Sequence, residues 1–597
     1  MRVGSPAERG HELGASKRPS PASAGRATRT DDLLAVGAEA QARGDVAAAE
    51  RAFRGVLEVD ATNMAAVQCL GAILVDRDEI DEAIELFEAA AEPLGPPTKA
   101  NLGFYNNYAN ALRRAERYVS AETLLRKVLE LDPRSWHAWH NLGQILHQLD
   151  RPDEAVAALR RAVLLEPGFA ANHGLLGAAL QKLGRLNSAE VSLRRCLELA
   201  PNEMTVTTLL GNNLRLVGRN AESTDYLRRA LALSGDQSPG AHSNLGIALL
   251  QGGNLDEALE HFVRASELQP ENNTWHAHLS YVLLISGDLE AAWPEWEYGI
   301  LDGPRGMERD TGVPRWERGV NDTRVLVYRE QGIGDEIIFA SCYPDLIAEA
   351  REVVIECDRR LVTLFQRSFP DAEVRGQTID EYGRETRHDY DTTIPAGSLP
   401  PIFRPTIDAF AGRPRSYLVP DEARVAAWRE RLAEFGPGPY IGISWRSKVK
   451  TAERRMEYTR LEEWGEIFAV PDVTWINLQY DNCERELHDA ETRFGVRIAR
   501  WDWLDLMNDL DEVAALTSAL DFVIAPRNAV AMLSGALGID AAVMCNKFAW
   551  IDLGADNCPW VPSLRIIARN PNADWSAVIS TTAQIAGEVA RKATSRV

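Results

Sequence analysis

The chain has 597 residues, about four domain-sized units by length, and its 45% apolar and 25% charged residues are the make-up of a soluble globular protein. Lysine plus arginine number 65 against 87 aspartate plus glutamate, and the resulting net charge of −22 argues against a nucleic-acid or membrane-surface binder. The seven cysteines are scattered with no CxxC pair, which excludes a disulfide framework or zinc ribbon and fits a reducing cytoplasm. No stretch approaches the roughly 18 consecutive apolar residues of a membrane-spanning helix, so no membrane span is expected. Residues 1–30 are rich in Ser, Pro, Gly, Ala and Arg without an apolar segment, and predict a disordered tail rather than a signal peptide.

From there to about residue 305 the chain repeats itself. Small residues recur at Ala49, Ala83, Ala121, Ala155, Ala189, Ser223, Ala258 and Ala292, in steps of 34, 38, 34, 34, 34, 35 and 34. Twelve residues before each stands another small residue, from Gly37 and Gly71 through Ala109, Gly143, Gly177, Gly211 and Gly246 to Ser280. Four after each stands a bulky apolar one, from Phe53 to Trp296. Small residues let two helices approach, the bulky residue fills the groove, and Pro133, Pro167, Pro201 and Pro270 stop second helices. The step of 38 places an insertion near Pro93–Thr98. This pattern resembles the tetratricopeptide repeat, with eight units over residues 31–305, and implies an α-solenoid whose first helices line an inner wall. On that wall Asn107, Asn141 and Asn244 share one register position, and Asn110, Gln144 and Asn212 another. Amides both donate and accept, so they suit the backbone of an extended acceptor peptide; asparagine there also bonds between helices, and register leaves both roles open.

Residues 306–322 are rich in Gly, Pro and charge and read as a linker. Beyond it, strands at Arg324–Tyr328, Glu352–Glu356, Tyr390–Ile394, Tyr440–Trp445, Val473–Leu478, Asp521–Ala525 and Ala541–Met544 alternate with helical stretches. Such alternation predicts parallel sheets covered by helices, and its restart near Gly436–Gly438 divides it into two Rossmann-like lobes, 323–435 and 436–597, the second closed by a helix over Trp575–Lys592.

Three motifs carry chemistry. In VLVYREQGIGDEIIF (Val325–Phe339) a strand runs into Gly332 and Gly334, then a helix starts at Asp335. Ile337 replaces the third glycine of a dinucleotide fingerprint, which disfavours NAD or FAD. An aspartate there can be a general base or simply cap the helix, and local sequence favours the cap. In YIGISWRSKVKTAERR (Tyr440–Arg455) a strand ends in Arg446, Ser447 and Lys448, followed by Lys450, Arg454 and Arg455: phosphate ligands, or a solvated basic loop. In DFVIAPRNAVAMLSGALG (Asp521–Gly538) Arg527 and the helix-capping Asn528 offer a charge and free amides to an anion. Two DxD triplets, Asp389–Asp391 and Asp509–Asp511, lack the context of a metal site.

Together with SLP (Ser398–Pro400), NLQYD (Asn477–Asp481) and CPWVPSLR (Cys558–Arg565), these motifs give residues 320–575 a resemblance to GT-B glycosyltransferases of the heptosyltransferase group, and the whole chain resembles bacterial flagellin glycosyltransferases that carry a repeat array and transfer a nonulosonic acid. The resemblance implies a metal-independent, inverting protein O-glycosyltransferase of the cytoplasm with no cofactor beyond its nucleotide-sugar substrate. It assigns catalysis to Asp335, donor binding to Gly332, Gly334, Arg446, Ser447, Lys448, Gln479, Arg527 and Asn528, and acceptor capture, flagellin above all, to the repeat amides. Heptosyltransferases have Asp and His where this chain has Arg527 and Met532, which speaks against ADP-heptose. An arginine there suits an anionic sugar such as a CMP-linked nonulosonic acid. UDP-GlcNAc, an ADP-sugar, or a scaffold that has lost catalysis stand as alternatives.

Overall fold

The structure is a computed structural model and describes residues 21–303, 305–379, 386–448, 457–571 and 573–594. The chain divides into two compact units, Met1–Pro201 and Asn202–Val597.

The first unit holds five helical pairs: α1 (Pro21–Ala42) with α2 (Val46–Val59), α3 (Met64–Asp76) with α4 (Ile80–Leu94), α5 (Leu102–Arg114) with α6 (Tyr118–Leu131), α7 (Trp136–Gln148) with α8 (Pro152–Leu165), and α9 (Ala170–Lys182) with α10 (Leu186–Leu199). Three more open the second unit: α11 (Met204–Leu216) with α12 (Asn220–Leu233), α13 (Pro239–Gly252) with α14 (Leu255–Leu268), and α15 (Asn273–Ser286) with α16 (Leu289–Glu297). The periodic residues do what their spacing requires. A Cβ on Gly37, Gly71, Gly143, Gly177 or Gly211 would lie 2.4–2.7 Å from the ring or branched carbons of Phe53, Phe87, Leu159, Leu193 or Leu227. Each bulky side chain thus sits directly over its own glycine, at a distance no other residue permits without displacement. The small residues from Ala49 to Ala292 are all fully buried. The insertion falls between Leu94 and Leu102. The expected tail needs correction: helix α1 starts at Pro21, so residues 21–30 are helical, and the rest of the tail lies outside the described residues.

Residues 306–322 are also not a free linker. Trp316 is buried, its backbone N–H donates to Thr393 O at 2.8 Å, and Arg315 bridges Thr393 in parallel. The segment therefore runs as an extra edge beside the sheet that follows.

A short ribbon, β1 (Leu301–Gly303) with β2 (Gly306–Met307), precedes two fully parallel sheets. The first contains β3 (Arg324–Tyr328), β4 (Glu352–Cys357), β5 (Glu373–Gly376) and β6 (Thr392–Pro395), in the order β5-β4-β3-β6. The second contains β7 (Tyr440–Ile443), β8 (Thr474–Asn477), β9 (Ile498–Ala499), β10 (Phe522–Pro526), β11 (Ala541–Asn546) and β12 (Leu564–Arg569), in the order β12-β11-β10-β7-β8-β9. Counted within itself, the second sheet is 3-2-1-4-5-6, the doubly wound order whose ligand crevice opens at the carboxyl ends of strands 1 and 4. Here those are β7 and β10; in the first sheet the equivalent switch lies between β3 and β6. The central strands are buried on both faces, as parallel sheets require.

Candidate functional site

A cleft of about 580 Å³ opens at the carboxyl ends of both sheets. From β3 it takes Gly332, Gly334 and Asp335; from β7, Ser447; from β10, Arg527 and Asn528; and from β11, Asn546 and Phe548–Ile551. The glycine turn and the third motif therefore face each other. They also touch: a Cβ on Gly334 would stand 3.8 Å from Ala529 Cα, the first residue of helix Ala529–Ala536.

Asp335 lies half-buried on one wall. Its Oδ2 accepts from Gly332 N at 3.2 Å, so it does cap the turn. A carboxylate has two oxygens, and capping with one is compatible with proton transfer at the other. The neighbouring Glu336 points into the protein. Its Oε2 accepts from Asp358 N at 2.8 Å, and Oε1 lies 2.8 Å from Arg329 Nε at an angle too poor for a hydrogen bond. Burial, only partly offset by Arg329, raises the Glu336 carboxyl to about 7.

Behind the turn is a buried ion pair. Arg305 donates to both Glu330 oxygens at 2.8 Å, to Ser398 Oγ at 3.0 Å and to Trp296 O at 3.1 Å, with its guanidinium 4.7 Å from the Trp296 ring. Gly397 N also donates to Glu330. The pair thus joins the last repeat helix, the GIGD turn and the SLP motif. Trp296 Nε1 to Gly397 O at 2.7 Å and Trp293 Nε1 to Arg404 O at 3.0 Å add to it.

The opposite wall is set by a chain of polar side chains. Asn528 caps its helix through Ala531 N at 3.2 Å and donates to Ser444 Oγ at 3.0 Å; Ser444 donates to Gln479 Oε1 at 3.1 Å. Gln479 is buried and also accepts from Trp445 N and Arg446 N. Its role is thus to hold the β7 loop, not to line the cleft. Arg446 and Lys448 are likewise not among the lining residues. Arg446 is paired with Asp481 and Glu486, and Lys448 is exposed with Nζ 3.8 Å from Met507 Sδ. Lys450, Arg454 and Arg455 lie outside the described residues.

Arg527 does line the cleft. Nη1 donates to Asn546 O at 2.9 Å and Nη2 pairs with Asp552, while buried Nε has no partner among the described residues. The two-pronged grip expected of it is therefore already in use, and it offers a ligand its charge and remaining N–H groups. Burial keeps the Asp552 carboxyl above its ordinary range despite that arginine. Cys545, at the cleft floor, is raised by burial to about 11 and stays a thiol at neutral pH.

Sequence reasoning missed the contribution of the repeats. Tyr281 and Ile285 of α15 complete the cleft, and burial raises the Tyr281 hydroxyl to about 12, which keeps it a hydrogen-bond donor beside the negative charge of Asp335. A signal existed: Tyr281 follows Ser280 as Asn110, Gln144 and Asn212 follow their small residues. Of the repeat amides, Asn141 Nδ2 donates to Asn106 Oδ1 at 3.1 Å and Asn110 Oδ1 accepts from Arg113 at 2.8 Å, the structural role. Asn107, Gln144, Asn212 and Asn244 are half-buried and make no side-chain hydrogen bond among the described residues. The DxD carboxylates are engaged in structure: Asp389 with Arg375, Asp391 with the Arg324 amide, Asp509 as a helix cap and Asp511 with Arg367.

Tetratricopeptide-repeat profiles match residues 36–97, 112–171, 170–203, 202–271 and 243–307. The helical array is therefore built of tetratricopeptide repeats. The chain is similar to Protein FlbA of Caulobacter vibrioides, 34% identical over 319 residues, 51% of this chain and 53% of FlbA. It spans about half the length of that curated relative. Solved structures similar to it include MamA, at 21% identity, 28% of this chain, 92% of that one and a TM-score of 0.27. YrrB, described as a TPR protein with an unusual peptide-binding site, shows 24% identity, 32% and 95% coverage and a TM-score of 0.28. Among the described residues no helix is long and apolar enough to cross a membrane.

Proposed function

We propose that the protein is a flagellum-associated O-glycosyltransferase of GT-B architecture, which moves a sugar from a nucleotide onto Ser or Thr of a protein acceptor, flagellin in the first instance. The observation that carries this reading is the convergence of the Asp335 turn and the Arg527–Asn528 helix start on one cleft at the carboxyl ends of two parallel sheets. The similarity to FlbA supports the flagellar setting, and the free, mostly buried cysteines suit a cytoplasmic one.

In this reading the acceptor hydroxyl oxygen attacks the anomeric carbon while Asp335 takes its proton. The bond from that carbon to the phosphate oxygen breaks, and the electron pair leaves with the nucleotide. A single displacement with one base inverts the configuration. The start of helix Ala529–Ala536 and the Arg527 charge stabilise the leaving phosphate. The resemblance to flagellin glycosyltransferases puts a CMP-linked nonulosonic acid first to test, ahead of UDP- and ADP-sugars.

Calorimetry with CMP, UDP and ADP, joined to intact mass of flagellin co-expressed with the protein, tests the proposal. Asp335→Asn should lower transfer by about 10²–10⁴-fold. Nucleotide binding should persist, because the asparagine oxygen still accepts from Gly332 N. Near-normal transfer by that variant removes Asp335 from the chemistry. Absence of nucleotide binding and of any mass shift would leave a repeat scaffold.

A further inference from the structure

A second cleft, of about 540 Å³, adjoins the first. One side comes from the repeats, including Ile247 and Gln251 of α13; the other comes from the β12 edge of the six-stranded sheet and the loop after it, including Arg569 and Trp575. Glu457, Tyr458, Asn546 and Phe548 line both clefts, which makes them one continuous trough. The trough follows the inner-wall register of the repeats. Ile247 stands one residue after Gly246 and Tyr281 one after Ser280, the position held by Asn212 one repeat earlier. Successive repeats therefore offer Asn212, Ile247 and Tyr281, the last two in the second and first cleft respectively.

We propose that this trough is the track of the acceptor polypeptide, which lies extended against Ile247 and reaches Asp335 past Tyr281. The inference rests on the transferase reading and names its acceptor subsite. The lining fits a polypeptide rather than a sugar or a nucleic acid. Ile247, Phe548 and Trp575 offer apolar contact to side chains, Gln251, whose Oε1 accepts from Arg215 at 3.4 Å, keeps its Nε2 to donate to a backbone carbonyl, and Glu457 and Glu463 set acid among Arg460, Lys547 and Arg569. Arg569 is fixed by its stack on Trp575 at 4.4 Å and its bond to Asn546 Oδ1 at 2.9 Å. Neighbouring repeat helices are on the order of 10 Å apart. An extended chain covers that in about three residues, so Ile247 reads the acceptor about three to six residues from the modified hydroxyl.

The test uses the full chain with Ile247→Arg and, as a milder change, Gln251→Ala, and flagellin encoded in the same genome as probe. Both variants should keep nucleotide affinity and kcat within about twofold, while KM for flagellin rises tenfold or more for Ile247→Arg and about threefold for Gln251→Ala. Unchanged KM in two folded variants, with wild-type transfer intact, overturns the track and leaves the transferase standing. No transfer to flagellin by the wild type overturns both.

Discussion

The Arg305–Glu330 pair allows the sharpest energetic test, because both side chains are almost wholly buried, at 1% and 3% exposure. Glu330→Ala strands a guanidinium that keeps only the Ser398, Trp296 and Glu297 contacts. Breaking a buried pair in this way costs about 3–5 kcal/mol. Glu330→Gln still accepts from Arg305 and Gly397 and should cost less, about 1.5–3 kcal/mol, the scale of a charge-assisted hydrogen bond. The double change Arg305→Met with Glu330→Leu removes both charges but orphans Gly397 N, and should cost about 1–3 kcal/mol, below Glu330→Ala alone. Urea unfolding followed by tryptophan fluorescence reads this out, since thirteen of the fifteen tryptophans lie in the second unit. Costs below about 1 kcal/mol for Glu330→Ala, or a double variant costlier than Glu330→Ala alone, would refute the claim that this pair clamps the GIGD turn to the last repeat.

Tyr281→Phe should leave stability unchanged and lower kcat/KM for transfer about tenfold, the worth of one hydrogen bond near 1.4 kcal/mol; an unchanged rate would make Tyr281 a wall and nothing more. Glu336 binds its proton more tightly in the folded state, with a pKa of about 7 against the usual 4.5, so its contribution to stability falls as pH rises from 4.5 through 7. Glu336→Gln should remove that fall, worth about 3 kcal/mol across the window, and thermal melts from pH 5 to 8 would show it as a flatter profile; an identical slope in both proteins would contradict it.

What could be read from the chain follows from how local each constraint is. The repeats were legible because one steric requirement, a glycine beneath a bulky residue sixteen positions on, recurs in nearly every unit. The glycine turn of β3 and the helix start after β10 were legible for a similar reason: each is a strand end that must serve a cleft in a parallel sheet. Strands β5, β9 and β12 were missed. All lie at or next to sheet edges, where short length and charged residues such as Arg565 and Arg569 blur the apolar pattern. Arg446 was overread as a phosphate ligand because charge alone does not show commitment. Arg446 finds Asp481 and Glu486 only when β7 and β8 pair, thirty-five and forty residues on.

The last three repeats must then be counted with the α/β region and not with the first five. Composition suggests a boundary near 305, where period gives way to alternation. The physical boundary is elsewhere: Trp293 and Trp296 bond to Arg404 O and Gly397 O, Arg305 is buried against Glu330, and Trp316 extends the first sheet. A cut at 305 would expose two tryptophans' burial sites, strand Glu330 without its cation and take Tyr281 from the cleft. A repeat array that only tethered an acceptor would need none of these contacts. Their presence argues that α11–α16 serve as one wall of the two clefts, inside the same compact unit as Asp335.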